Sequence, residues 1–290
     1  ASAICDENIR EAEEYFTKAA TKGNIDHSQY MLANLYYDIK DTKNGKSYLK
    51  MAAEQKYAPA QFLLAQQNEK NNKLKEALKF YQMAADQDFN QEKNHNIEIL
   101  TTSSNQDSGH EKIIKDAIIA ALENLTFLLI NGKPEIMNIE LAKKYAEKGK
   151  ELGSIPCAIE FAKLTNNVAE IKDIADRKND KNAQFEYAKL IKIPENADEC
   201  IEYLTMAADK NHNEACMTLV YLYERLILFK TKLANFKRDM AKSKIYCKKA
   251  ADECYPPALT KLGMDFVNGI GCAKDIEKSI NYIDFYINLL

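Results

Sequence analysis

Metal binding and proton transfer need histidines, cysteines or paired carboxylates at set spacings, and the 290-residue chain offers few such sets. Its four histidines are His27, His95, His110 and His212. None stands in H-E-x-x-H, and no Cys/His spacing matches a tetrahedral zinc site. His27 and His212 fall at turns between helices, where an exposed polar residue is the expectation. His95 and His110 fall in or beside a polar stretch. The seven cysteines include no C-x-x-C pair. Cys247 and Cys254 would stand two turns apart on one helix face, about 10 Å along the axis, which is out of disulfide reach. Reduced, buried thiols are expected, and with them a cytoplasmic location. Gly269-Ile-Gly271 has the look of a phosphate loop, but no Lys-Ser/Thr pair follows it and no strand precedes it. Its glycines fit a tight turn with positive φ instead. No Gly-x-Ser-x-Gly occurs, and the pairs Glu13-Glu14 and Asp198-Glu199 read as solvated helix faces. No catalytic, cofactor-binding or metal-binding residue is assigned, and a non-enzyme is expected.

The strongest remaining cluster is electrostatic. Arg225, Lys230, Lys232, Lys237, Arg238 and Lys242 make the segment up to Lys249 the most basic part of the chain, with Phe229 and Phe236 interleaved. As a helical hairpin it could meet phosphate on anionic lipid or RNA, or an acidic partner. The alternative is a solvated face over inward-packing Leu226, Ile227, Leu228 and Leu233. The totals favour the latter: 40 basic against 43 acidic residues give a formal net charge of -3, without the basic excess of a nucleic-acid binder. A membrane-surface contact would rest on this patch alone. The most apolar window, Ala117 to Gly132, is broken by Glu123 and Asn124 and is too short to span a bilayer. The chain opens on Ala1 with no resemblance to a signal peptide, as in a trimmed or processed chain, so a removed targeting segment stays open.

The elements that would position any of these residues are helices. Six prolines and nine glycines are few, while Lys, Glu, Ala, Leu and Ile abound. A chain of this length buries a large core without a metal or disulfide. Residues Glu11 to Gly23 place Ala12, Tyr15, Ala19 and Ala20 at helical spacing, with Gly23 as a left-handed C-cap. A second helix is expected from Ser28 to Asp38, with Ser28, Leu32, Leu35 and Tyr36 on one face and small Ala33 where another helix can approach.

The pattern then returns. Tyr48, Ala52 and Ala53 repeat the first helix, and Ala60, Leu64 and Ala65 the second. Phe80, Ala84 and Ala85 follow, then Ala142, Tyr145 and Gly153, then Tyr203, Ala207 and Ala208, then Tyr246, Ala250 and Ala251. Intervening helices are expected from Ala121, Cys157, Ala183, Ala215 and Ala258. Such spacing is that of a helical solenoid. Two places break it. Residues 90–112 are polar and read as an insertion or degenerate repeat between N-terminal repeats over 1–89 and C-terminal repeats over 113–290. A long helix is expected from Glu111 to Ile130. A basic helical extension is expected at 224–249.

These residues resemble Sel1-like repeats, relatives of the tetratricopeptide repeat. Ala258, Leu262, Gly263, Phe266, Gly269, Gly271, Asp275, Lys278, Ser279 and Tyr282 follow that pattern most fully, and Ala121, Leu125, Leu129, Gly132, Ala142, Tyr145 and Gly153 follow it well. The resemblance implies an all-α fold, an α/α superhelical solenoid of about six or seven helix-turn-helix repeats. It implies a protein–protein interaction scaffold or adaptor, as in quality control, signalling or bacterial host interaction. The cysteines do not follow the disulfide-stapled branch of the family. A repeat portion of a larger enzyme is a further alternative.

Counting each first helix from its small starting residue, positions one, five and eight share one face, and positions three, seven and ten the other. In tandem helix pairs the first helices line the inner wall, so the second set predicts a concave binding face. It comprises Tyr30, Asn34, Tyr37, Phe62, Gln66, Phe127, Phe185, Lys189, Met217, Tyr221 and Met264. Aromatic and Met side chains suit the centre of an interface, and an extended or helical peptide suits the groove. Packing between repeats is the competing reading at each position.

Overall fold

The computed structural model describes residues 14–20, 25–87, 107–192, 195–225, 239–270 and 273–287, and among these every regular element is an α-helix. They are α1 (residues 14–20), α2 (Asp26–Asp38), α3 (Thr42–Glu54), α4 (Ala58–Lys70), α5 (Leu74–Ala85), α6 (Asp107–Asn131), α7 (Ile139–Glu151) and α8 (Ile155–Leu164). Then come α9 (Val168–Arg177), α10 (Lys181–Leu190), α11 (Ala197–Asp209), α12 (Asn213–Arg225), α13 (Met240–Asp252), α14 (Pro256–Asn268) and α15 (Ile276–Ile287). Two compact units divide the chain, Ala1–Leu164 and Thr165–Leu290. Within each unit consecutive helices pack on one another, which is the helix-pair solenoid expected from the periodicity.

Local chemistry sets the helix ends. Asp41, Asn138, Asn167, Asp180 and Asp239 accept from backbone N–H groups of the first turns of α3, α7, α9, α10 and α13. At the other end, Lys40, Lys56, Asn72, Asn166, Asn179, Asn211 and Cys254 take positive φ, as do Gly153 and Gly269. The next N–H then closes on the carbonyl five residues back: Asp41 on Tyr36 (2.8 Å), Tyr57 on Ala52 (3.1 Å), Ser154 on Gly149 (2.9 Å), His212 on Ala207 (3.1 Å) and Tyr255 on Ala250 (3.0 Å). This is the Schellman closure. Non-glycine residues there cost about 1–2 kcal/mol each. The closing bonds hold the turn regardless, which explains why repeats that lost their glycines still fold.

Small residues let the helices meet. Gly45, Ala77, Ala142, Cys200, Ser243 and Ser279, each three before the aromatic of a second helix, are all buried. A Cβ on Gly45 would lie 3.1 Å from the Ala33 carbonyl oxygen, so α2 and α3 approach closely beside that small residue. The aromatics that follow stack on the first helix: Tyr36 on Tyr48, Tyr223 on Tyr246, and Phe266 on Tyr282, with ring planes within 8°. The Ala-Ala pairs 52–53, 84–85, 207–208 and 250–251 are buried. In α7 the corresponding residues are Gly149 and Lys150, and a Cβ on Gly149 would lie 2.7 Å from Cys157 Cβ.

A buried polar seam accompanies these contacts. Gln29, Gln61 and Gln184, each one residue after the small starting residue, are fully enclosed. Their Nε2 groups donate to the carbonyls of Ala20 (3.1 Å), Ala53 (3.0 Å) and Ala175 (3.4 Å) on the preceding second helix. Their Oε1 atoms accept from Gln55 (2.7 Å), Gln87 (2.5 Å) and Lys210 (2.9 Å), two residues past the next second helix's closing pair or its equivalent. Where Leu122 stands in place of the glutamine, Lys148 Nζ donates to the Ala85 carbonyl instead (2.6 Å). Satisfying these carbonyls removes a penalty of about 1–3 kcal/mol each.

Several expectations fall differently. Cys247 lies in α13, but Cys254 lies past its end at φ 57 and is exposed, so the two do not stack on one helix. Cys157, Cys200, Cys216 and Cys247 are free and buried. The polar stretch is outside the described residues up to 106, and the long helix begins at Asp107 rather than Glu111. Gly23 and residues 226–238, the middle of the expected basic extension, are also outside the described residues.

Candidate functional site

The face of the first helices that carries positions three, seven and ten separates into two rows. Position three packs. Phe185 is 7% exposed and Met217 4% exposed. Phe185 lies 4.4 Å from the His212 ring, and half-buried Tyr30 lies 5.4 Å from the Tyr57 ring. His212 and Tyr57 both stand at the start of the following first helix, so a position-three ring wedges against the next repeat. Phe62, also half-buried, tilts against Tyr81 at 5.8 Å. For Phe185 and Met217 the packing reading therefore replaces a directly accessible one.

Position seven is the more open. In the N-terminal unit it carries half-buried Asn34 and Gln66, then Phe127 at 61% exposure. In the C-terminal unit it carries exposed Lys189, Tyr221 at 44% and Met264 at 56%. Tyr37, at position ten, is half-buried and accepts from Gln67 Nε2 at 3.0 Å. Lys189 pairs with Glu186 (3.0 Å) and covers the Phe185 ring at 5.3 Å, so one helix shows both roles. An exposed Phe, Tyr or Met loses the apolar burial of about 1.5–3 kcal/mol that a core position would supply.

Of the basic cluster, Lys230, Lys232, Lys237, Arg238 and the Arg225 side chain lie outside the described residues. Lys242 is exposed, with Asp239 at 4.0 Å and its ammonium 5.5 Å from the Tyr223 ring centre. Nearby, Lys261 Nζ sits between Glu224 (2.8 Å) and Asp265 (2.6 Å), joining α12 to α14, and Ser243 Oγ donates to Glu224 (2.9 Å). These ions are mostly enclosed and tie helices together.

The histidines depart from the exposed-turn expectation. His212 is half-buried, and its Nδ1 accepts from the Ala215 N–H at 3.2 Å, capping α12. His27 lies in the first turn of α2, half-buried, with Nδ1 2.9 Å from the Tyr57 hydroxyl. His110, on α6, brings Nε2 to 3.3 Å from the same oxygen. Burial holds both His27 and His212 below the ordinary imidazole value. Burial also pushes the Cys157 thiol up to about 11 and Cys247 up to about 12, so both stay protonated near neutrality. Among the described residues, no group of three or more His, Cys, Asp or Glu could hold a metal ion. Nor is any described helix long and apolar enough to cross a membrane.

The family model described as Sel1 repeat matches residues 3–24, 26–57, 58–89, 127–154, 183–212, 235–253 and 256–283. The chain belongs to the Sel1 repeat family. Sel1 repeat proteins are commonly protein-interaction scaffolds and generally non-catalytic. The seven matched segments leave out 155–182, where the short α8 and α9 run only ten residues each. Among solved structures, a Sel1 repeat protein from Oxalobacter formigenes is 19% identical with a TM-score of 0.53, covering 98% of this chain and 95% of that one. Another, c5321, a protective antigen of uropathogenic Escherichia coli strains displaying an SLR fold, is 17% identical with a TM-score of 0.46, covering 95% of this chain and 73% of that one. No curated protein matches the chain.

Proposed function

We propose that this Sel1 repeat chain is an interaction scaffold whose first-helix position-seven side chains contact a segment of another protein. The carrying observation is the contrast within the wall: Phe127, Tyr221 and Met264 stand 61%, 44% and 56% exposed while position-three Phe185 and Met217 are enclosed. Packing accounts for the enclosed row. Interface centres favour aromatic and thioether side chains of the kind the open row exposes. Each unit carries its own part of the row, with polar Asn34 and Gln66 in the first and Lys189 in the second. A mixed surface of that kind suits a peptide segment with both apolar anchors and hydrogen-bonding groups.

Affinity capture with quantitative mass spectrometry tests the reading, comparing wild type with Phe127→Glu and Tyr221→Glu. A protein enriched by wild type should be depleted about tenfold or more by at least one variant that melts normally, as expected when an interface anchor is lost. Undiminished capture by both folded variants would remove the position-seven row from the account.

A further inference from the structure

His27, Tyr57 and His110 come from three separate helices of the N-terminal unit and share one hydroxyl. The Tyr57 oxygen lies 2.9 Å from His27 Nδ1 and 3.3 Å from His110 Nε2, and the two imidazole centres are 4.6 Å apart, edge to face. The His110 ring lies within 13° of parallel to that of Tyr57, which is buried at the start of α4. A hydroxyl has one proton: it donates to one imidazole nitrogen and accepts from the N–H of the other. Two neutral rings satisfy that arrangement, and so does one neutral ring with one cation. Two cations do not. Both nitrogens would then be donors aimed at one oxygen, the hydroxyl proton would have no imidazole acceptor, and two like charges would face each other in a half-buried site.

We propose that this cluster is an acid-sensitive clamp, which on acidification releases the first turns of α6 from α2 and α4 while the rest of α6 stays docked. Ile114, Ala117, Ile118 and Ala121 are buried and hold the helix downstream, so the opening is local. The groups acting on His27 are Asp26 on its own helix, Tyr57 from α4 and His110 from α6, which Glu111 follows. Burial first, and then the His110 charge, lower the His27 pKa; Asp26 opposes them without cancelling them. The sign follows from that direction. A ring held neutral in the closed form but free to charge in the open one stabilises closure fully above its ordinary value of about 6.5. That advantage is lost as pH falls through the lowered value.

Hydrogen exchange on the full chain, corrected for intrinsic rates, tests the clamp at about pH 7.5 and about pH 5. Protection over residues 109–114 should fall about tenfold or more in wild type, relative to residues 118–130. In His110→Gln, which keeps a neutral hydrogen-bonding group, the pH response should shrink to the part that the burial of His27 maintains. The imidazole C2–H titration of His27 should also move upward in that variant. If His110→Gln does not fold, His27→Gln takes its place, and there a flat response is expected. Wild-type protection that does not change with pH, or an undiminished fall in the glutamine variant, overturns the proposal.

Discussion

The seam between repeats and the open row of the first helices obey opposite rules. At the seam the same residue types recur: Ala-Ala pairs, an enclosed glutamine, a small residue beside each stacked aromatic. In the open row, Asn34, Gln66, Phe127, Lys189, Tyr221 and Met264 follow one another with no common chemistry. A seam side chain must fit a space fixed by two backbones, so few types are tolerated. An open side chain meets no such limit, and on the proposed function its identity answers to a partner. The seam makes the fold, and the open row is where individual repeats differ in what they offer.

Five substitutions would break or sharpen that division. The largest effect is expected within one helix: Phe185→Ala should cost about 3–5 kcal/mol in denaturant unfolding of the C-terminal unit. Lys189→Ala, one turn further along, should stay within about 0.5 kcal/mol. Equal losses from the two would erase the distinction between positions three and seven. Next, Gln61→Leu should cost about 1–3 kcal/mol, because the Ala53 carbonyl and the Gln87 amide each lose a partner. A neutral result would show the glutamine seam to be dispensable. Gly149→Ala should also cost about 1–3 kcal/mol, since the added methyl meets Cys157 where α7 crosses α8. Smallest of all, Met264→Ser should shift stability by less than about 0.5 kcal/mol.

The seam was largely legible in the sequence because close packing forces recurrence. Tyr-x-x-x-Ala-Ala and the small residues before it repeat visibly, and Ala33 marked a close approach that Gly45 completes. The enclosed glutamines were not recognised, although Gln29, Gln61 and Gln184 each follow the small starting residue. Glutamine reads as surface until the helix-end carbonyls it must reach are in view. The division between positions three and seven was also hidden. A helical wheel puts them 40° apart, and only the Tyr57 and His212 rings of the following repeat decide which is covered. The histidine cluster was the least readable, since its members are 30 and 53 residues apart and meet through packing alone.

Site-specific photocrosslinking tests the central claim most directly. A photoreactive residue would be placed in turn at Phe127, Tyr221 and Met264, and at Ile245, an equally exposed residue of second helix α13. The same captured protein should crosslink from at least two of the three first-helix positions, and about tenfold less from position 245. Equal crosslinking from position 245, or crosslinking from there alone, would contradict the assignment of recognition to the first helices.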